Sequence, residues 1–140
     1  LIVLDTNVVS ELMRAQPDPS VLRWMDAQSP SALWLNSVVV SELLYGVAKL
    51  PKGKRKEQLI TAVAAMVDED FAGRVLSFDV DAAAQYASLV VMRENAGLSV
   101  SMADAQIAAI CLARGASLAT RNTKHFEGLG LTLINPWRHT

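Results

Sequence analysis

An unbroken apolar row, Leu1-Ile2-Val3-Leu4, closes at once on Asp5-Thr6-Asn7, and this stretch constrains the chain more than any other. A run apolar at every position, rather than at every second one, suits a strand covered on both faces, as in a parallel sheet. After Asn7 the pattern turns helical. An acid at the carboxyl end of such a strand stands at the crevice where open α/β sheets bind ligands. A plainer reading also stands at this point, in which Asp5, Thr6 or Asn7 only caps the next helix.

The same alternation recurs along the chain. A short helix or turn over 8–13 gives way at Pro17 and Pro19 to a second helix, opened by Asp18 or Pro19 and carrying Val21, Leu22, Trp24 and Met25. Residues 29–31 are a loop and Leu33 to Asn36 a second strand. Ser37 is the expected N-cap of a helix from Val38 to about Lys49. Beyond the basic turn at 51–56, Leu59, Val63, Met66 and Val67 form one stripe of a helix over 55–70. Val75 to Phe78 is the third strand, and Asp79 or Asp81 caps a helix that stops at Gly97. A helix from Ser101 to Arg114 stops at Gly115. Residues 116–120 form the fourth strand, 121–126 a polar turn, and 131–134 the last strand. Strand and helix in alternation predict a parallel sheet with right-handed crossovers.

Composition removes several function classes. A net charge of −1 excludes a general coat for polyanions, so any nucleic-acid contact must be local. With 51% apolar residues but no run long enough to cross a bilayer, the chain reads as one α/β domain over 1–140. The lone Cys111 lies in an apolar helical run and reads as a buried hydrophobe in a reducing compartment. No charged-then-apolar leader is visible, and a cytoplasmic protein is the expectation.

Three acids stand apart from ordinary surface charge. Asp5 ends a strand. Glu42 shares its helix face with Val38, Val39, Tyr45 and Gly46, which is no ordinary solvated face. A salt bridge, or a place at the rim of the apolar stripe, would also account for it. Asp104 has Val100, Ile107 and Ala108 as face neighbours, although Ser101 and Asp104 also have the spacing of a capping box. A doubly wound sheet can bring these positions to one end, and carboxylates so gathered repel unless a cation bridges them. Ligation by oxygen alone suits Mg²⁺ or Mn²⁺. The chemistry that follows is phosphodiester hydrolysis by water, with no protein nucleophile. Arg121, Lys124 and His125, with Arg14, lie near the inferred site and are candidates for phosphate contact; solvated turn residues are the alternative. Trp24, Trp34 and Trp137 read as core or interface anchors.

Four stretches also match a known family. Leu-Asp-Thr-Asn at 4–7, Val-Ser-Glu-Leu-Leu-Tyr-Gly-Val at 40–47, Ala-Asp-Ala-Gln-Ile-Ala-Ala at 103–109 and Leu-Ala-Thr-Arg-Asn-Thr-Lys-His-Phe at 118–126 resemble the PIN domain. The likeness runs to VapC-type and FitB-like toxins of bacterial toxin–antitoxin pairs, and Asn-Pro-Trp at 135–137 is similar to the FitB-like branch. It covers essentially the whole chain. It implies a three-layer α/β/α fold around a central, mainly parallel sheet of four to five strands. It further implies an endoribonuclease acting on RNA with Mg²⁺ or Mn²⁺. The protein would form a homodimer silenced by a cognate antitoxin, and a larger complex with antitoxin and operator DNA is conceivable; no membrane is involved. The matching acids are Asp5, Glu42 and Asp104. The fourth acidic position falls at Asn122, whose uncharged amide implies a secondary role and a weak second metal site. Thr6, Asn7, Ser101 and Thr120 map to positions that orient acids or metal waters.

Three other readings compete. A catalytically weak module of the same fold would act only through dimerisation and the antitoxin–operator complex. A haloacid-dehalogenase-type enzyme also starts with a strand-end Asp but carries a second Asp two residues on, where this chain has Asn7. A phosphoacceptor receiver domain would need an early acidic pair that is missing.

Overall fold

A computed structural model describes residues 1–138. Its five strands are β1 (Ile2–Leu4), β2 (Leu33–Asn36), β3 (Val75–Leu76), β4 (Ser117–Ala119) and β5 (Leu133–Ile134), in the spatial order β3-β2-β1-β4-β5. Every pairing is parallel: Ile2 lies opposite Leu33 on one side and Ser117 on the other. Six α-helices fill the connections: α1 (Thr6–Leu12), α2 (Pro19–Asp26), α3 (Ser37–Ala48), α4 (Lys54–Ala65), α5 (Val80–Asn95) and α6 (Met102–Arg114). They cover both faces of the sheet, giving the three-layer α/β/α arrangement that the sequence predicts.

Apart from Asn36 in β2 and Ser117 in β4, the strands are apolar, because both faces are covered. Val3, Leu4, Leu35 and Leu118 have no exposed surface. Helix α6 runs deepest, with Ala105 and every residue from Ile107 to Cys111 buried. Its alanines let neighbouring elements approach closely, and α5 packs along it. The helix ends where the sequence predicts, because Gly115 adopts φ +64, a left-handed conformation that costs a residue with a Cβ.

The chain steps from β1 outward to β2 and β3, then crosses back to place β4 on the other side of β1. The gap between the carboxyl ends of β1 and β4 is therefore the topological switch point, the place where such sheets leave a crevice. Asp5 and Thr120 are the residues immediately beyond those two strand ends.

Several local expectations need correction. The N-cap of α3 is Asn36, not Ser37: the Asn36 Oδ1 accepts from Val39 N at 2.9 Å, while the Ser37 hydroxyl accepts from Phe78 N at 3.2 Å. Both residues are polar and adjacent, and Ser37 is taken up by Phe78 in the segment after β3. The helix expected over 55–70 starts at Lys54 and changes at Met66–Asp70 into a π-helical turn. There the Arg74 guanidinium donates to the carbonyls of Asp70, Pro30 and Leu33, tying that turn to the start of β2. The third strand is only Val75–Leu76, since Asp79 already caps α5 by accepting from Ala82 N at 2.9 Å. The first helix begins at Thr6 rather than Val8, because Asp5 caps it.

Candidate active site

Asp5 is both a cap and a site residue. Its backbone N donates to the Ala119 carbonyl at 2.9 Å, fixing it against the end of β4, and its carbonyl accepts from Val8 and Val9 of α1. The side chain is only 4% exposed. One carboxylate oxygen accepts from Thr6 N at 2.8 Å; the other accepts from the Thr120 hydroxyl at 2.7 Å and from Asn7 Nδ2 at 3.3 Å. Burial raises the Asp5 pKa above its usual value. The donated bonds of Thr120 and Thr6 oppose that rise, and the charges of Asp104 and Glu42 add to it. Those last two contributions tie three segments, distant in sequence, into one electrostatic site. The thiol of Cys111 is pushed up to about 12 by its own burial and by the Asp5 charge.

Glu42 joins through Thr6, whose hydroxyl donates to Glu42 Oε1 at 2.6 Å. Contrary to the sequence expectation, Glu42 is exposed, and its face neighbour Tyr45 is 65% exposed. The apolar neighbours on that face do not bury it, because the face opens at the rim of the crevice. Among the described residues no Arg or Lys pairs with Glu42, so its charge is not spent on a local ion pair.

Asp104 occupies the first turn of α6. Its backbone N donates to the Ser101 hydroxyl at 3.1 Å, the forward half of the predicted capping box. Its carboxylate turns instead toward His125, with Oδ2 3.3 Å from Nδ1. The capping and the site readings are therefore compatible: Ser101 caps the helix, and the Asp104 side chain remains for other work.

The remaining predicted residues divide. Thr120 is fully buried and also accepts from Asn122 N at 3.0 Å. Asn7 donates to Thr120 as well as to Asp5, and its Oδ1 accepts from Arg121 N at 3.1 Å. Asn122 is held by its backbone, its carbonyl accepting from His125 N at 3.0 Å. Arg121 lies over the Trp137 ring, 4.9 Å from its centroid. Lys124 is exposed and lines a pocket with Asp104 and His125. Arg14 is taken up by the buried Glu11, at 3.2 Å, and is not a free phosphate contact.

Two residues escape sequence reasoning. Asn36 is fully buried at the end of β2, and its Nδ2 has no hydrogen-bond partner among the described residues. Arg93, 8% exposed, lies on the packing face of α5 and donates from Nη2 to the carbonyls of Glu127, at 2.5 Å, and His125, at 3.4 Å. The available signals were a polar residue closing an apolar strand, as Asp5 does, and a cation one turn beyond Leu89 and Val90.

The donor set fits a hard divalent cation. Two carboxylate charges press on a third, buried one, and the side chains that hydrogen-bond to that buried carboxylate are the Thr120 hydroxyl and the Asn7 amide. Among the described residues no three His, Cys, Asp or Glu close into a preformed cage.

The profile of the PIN domain matches residues 2–129. The chain is 46% identical to the VapC ribonuclease Y4jK of Sinorhizobium fredii over 137 residues, covering 98% of each chain. It is 37% identical to Toxin FitB of Neisseria gonorrhoeae over 137 residues, covering 98% of this chain and 99% of that one. Its fold superposes with a TM-score of 0.93 on a chain in the structure of FitAB bound to an IR36 DNA fragment; the two are 36% identical, with 100% of this chain and 98% of that chain covered.

Proposed function

This chain belongs to the PIN-domain family, and on that premise we propose that it is a metal-dependent endoribonuclease toxin restrained by a cognate antitoxin. The observation that carries this reading is the buried Asp5 at the switch point, with the charges of Asp104 and Glu42 acting on it. Asp5, Asp104 and Glu42 would hold Mg²⁺ or Mn²⁺, with Asn122 in a secondary role. When bound, the ion supplies Lewis-acid polarisation of the phosphoryl group and activation of the attacking water.

The residues of the chain position and orient. Thr120, Thr6 N and Asn7 hold the Asp5 carboxylate in one orientation and favour its ionised form. Thr6 orients Glu42, and His125 engages Asp104. Arg121 and Lys124 border the crevice as phosphate contacts. In the reaction a water oxygen forms a bond to phosphorus, the bond from phosphorus to the leaving ribose oxygen breaks, and that oxygen takes a proton. No side chain becomes covalently attached.

The partner reading has its own support. A groove of about 470 Å³ is lined by Leu12, Met13, Met25, Met66 and Phe71 and contains none of the three acids. An adjoining hollow shares Met13 and reaches Thr6 and Glu42. An apolar antitoxin segment seated there would lie beside the acids and restrain them. An antitoxin complex on DNA goes with the likeness to the DNA-bound FitAB chain, and a homodimer is part of the same proposal. Among the described residues no helix is long and apolar enough to cross a membrane, and an RNA substrate goes with a cytoplasmic location.

The test uses the purified chain, an RNA oligonucleotide pool, and Mg²⁺ or Mn²⁺ against chelator. Cleavage is expected with metal and not with chelator. Asp5→Asn and Asp104→Asn should each abolish it with circular dichroism unchanged. Undiminished cleavage by both variants would refute the assigned site.

A further inference from the structure

Beside the acids, and separate from the apolar groove, lies a pocket of about 310 Å³. Its walls come from three places: Arg93 on α5, Ser99 and Ser101 in the loop before α6, and Lys124 and His125 on the turn after β4. Asp104 forms its border with the acid site. Among the pockets described here it alone has two full cations, Arg93 and Lys124, in its lining.

Arg93 makes this more than a charged surface. The residue is buried, and its two described hydrogen bonds both leave from Nη2, to the carbonyls of Glu127 and His125. A guanidinium carries five N–H donors in a rigid fork. Among the described residues Nε and Nη1 have no hydrogen-bond partner, and Arg93 lines the pocket. The fork is therefore anchored at one nitrogen while its other donors remain for a ligand. The Ser101 oxygen accepts from Asp104 N, which leaves its own proton to donate. Asp104, the anionic wall, is engaged by His125. Fixed guanidinium, exposed ammonium and hydroxyl donors in one small hollow match the oxygens of a phosphate.

We propose that this pocket seats a backbone phosphate of the RNA strand adjacent to the scissile one, with Arg93 and Lys124 as its cationic partners and Ser99 and Ser101 as hydroxyl donors. The inference deepens the ribonuclease reading and rests on it for the identity of the strand. A seated neighbouring phosphate fixes the register of the strand against Asp5 and Asp104, so the pocket positions substrate rather than reacting with it.

Binding, not cleavage, tests it. The Asp5→Asn protein is titrated with fluorescent single-stranded RNA over a range of salt. Adding Lys124→Gln should lower the slope of log K against log salt by about 0.7, the loss of one phosphate contact on a single strand. Ser99→Asp should weaken binding at least tenfold without changing the melting temperature. RNAs carrying one neutral methylphosphonate at successive positions then locate the contact: at one position the penalty of Lys124→Gln should vanish. Inorganic phosphate at constant ionic strength should compete no better than sulfate, which separates a strand phosphate from a free-phosphate site. An unchanged salt slope, a Lys124→Gln penalty that persists at every position, or absence of RNA binding would overturn the proposal. Cleavage by the unmutated chain without this coupling rejects the pocket alone. Coupling in a chain that never cleaves rejects the ribonuclease reading alone.

Discussion

Replacing Thr120 by Val removes one oxygen from a fully buried position and keeps the side-chain shape. The lost hydroxyl is the nearest side-chain donor to Asp5, at 2.7 Å, and leaves that carboxylate oxygen with only Asn7 Nδ2 at 3.3 Å. A hydrogen bond to a buried charged group contributes about 1.5–3 kcal/mol. The Asn122 amide, which also loses its acceptor, belongs to an exposed residue and can turn to water at little cost. Thr120→Val should therefore cost about 2–3 kcal/mol at neutral pH, or about 6–10 °C in Tm for a chain of this size. The sign of its pH dependence follows from linkage. Asp5 already has a raised pKa in the folded protein, so its contribution to stability is present below the unfolded pKa and lost as pH rises through the folded one. Removing the Thr120 donor raises the folded pKa further. The gap between the two proteins should be widest at neutral pH and shrink in acid, where a protonated Asp5 no longer needs the donor. Urea unfolding at neutral and acidic pH measures both stabilities, and Thr120→Ser should recover most of the loss. A gap that is constant with pH, or that widens in acid, would refute this account of Asp5.

Other outcomes follow from the same structure. Asp5→Asn should end cleavage and flatten the fall of Tm between acidic and neutral pH, because it removes the buried carboxyl whose raised pKa costs stability as pH rises; an unflattened profile would contradict that raised pKa. Cys111, fully buried and with its thiol pushed up to about 12, should resist a thiol reagent in the folded protein and react only at the rate of global unfolding, as mass spectrometry would show. Arg74→Ala should cost about 2–4 kcal/mol in urea unfolding, since three carbonyls on two elements lose their donor. A loss below about 0.5 kcal/mol would show that the clamp is dispensable.

Where sequence was informative, a local pattern and the global fold had the same cause. Strands covered on both faces are apolar at each residue, so β1 and its closing Asp5 stood out, as did Gly115 at a left-handed helix end. What stayed hidden depended on a neighbour remote in sequence. Asn36 and Ser37 are equally good caps until Phe78, in the segment after β3, occupies the Ser37 hydroxyl. The apolar neighbours of Glu42 pointed to burial, but whether a helix face meets the core or a crevice is decided by what packs beside it. His125 was named only as one polar turn residue among several; its approach to Asp104 requires the turn to lie against the start of α6. The acid site was thus legible as residue types, and the family likeness pointed to Thr6 and Thr120 as orienting positions, but which acid each one holds, and the approach of His125 to Asp104, were not legible.

The central place of β1 has a consequence for how the protein comes into being. Among the described strands the first to be translated is the middle one of the sheet, and the residues that brace Asp5 from the β4 side, Ala119 and Thr120, follow more than a hundred residues later. A nascent chain therefore carries Asp5 and Glu42 long before it has the support that orients them. Premature stop codons upstream of Ser117 yield products that carry Asp5 and Glu42 without that support.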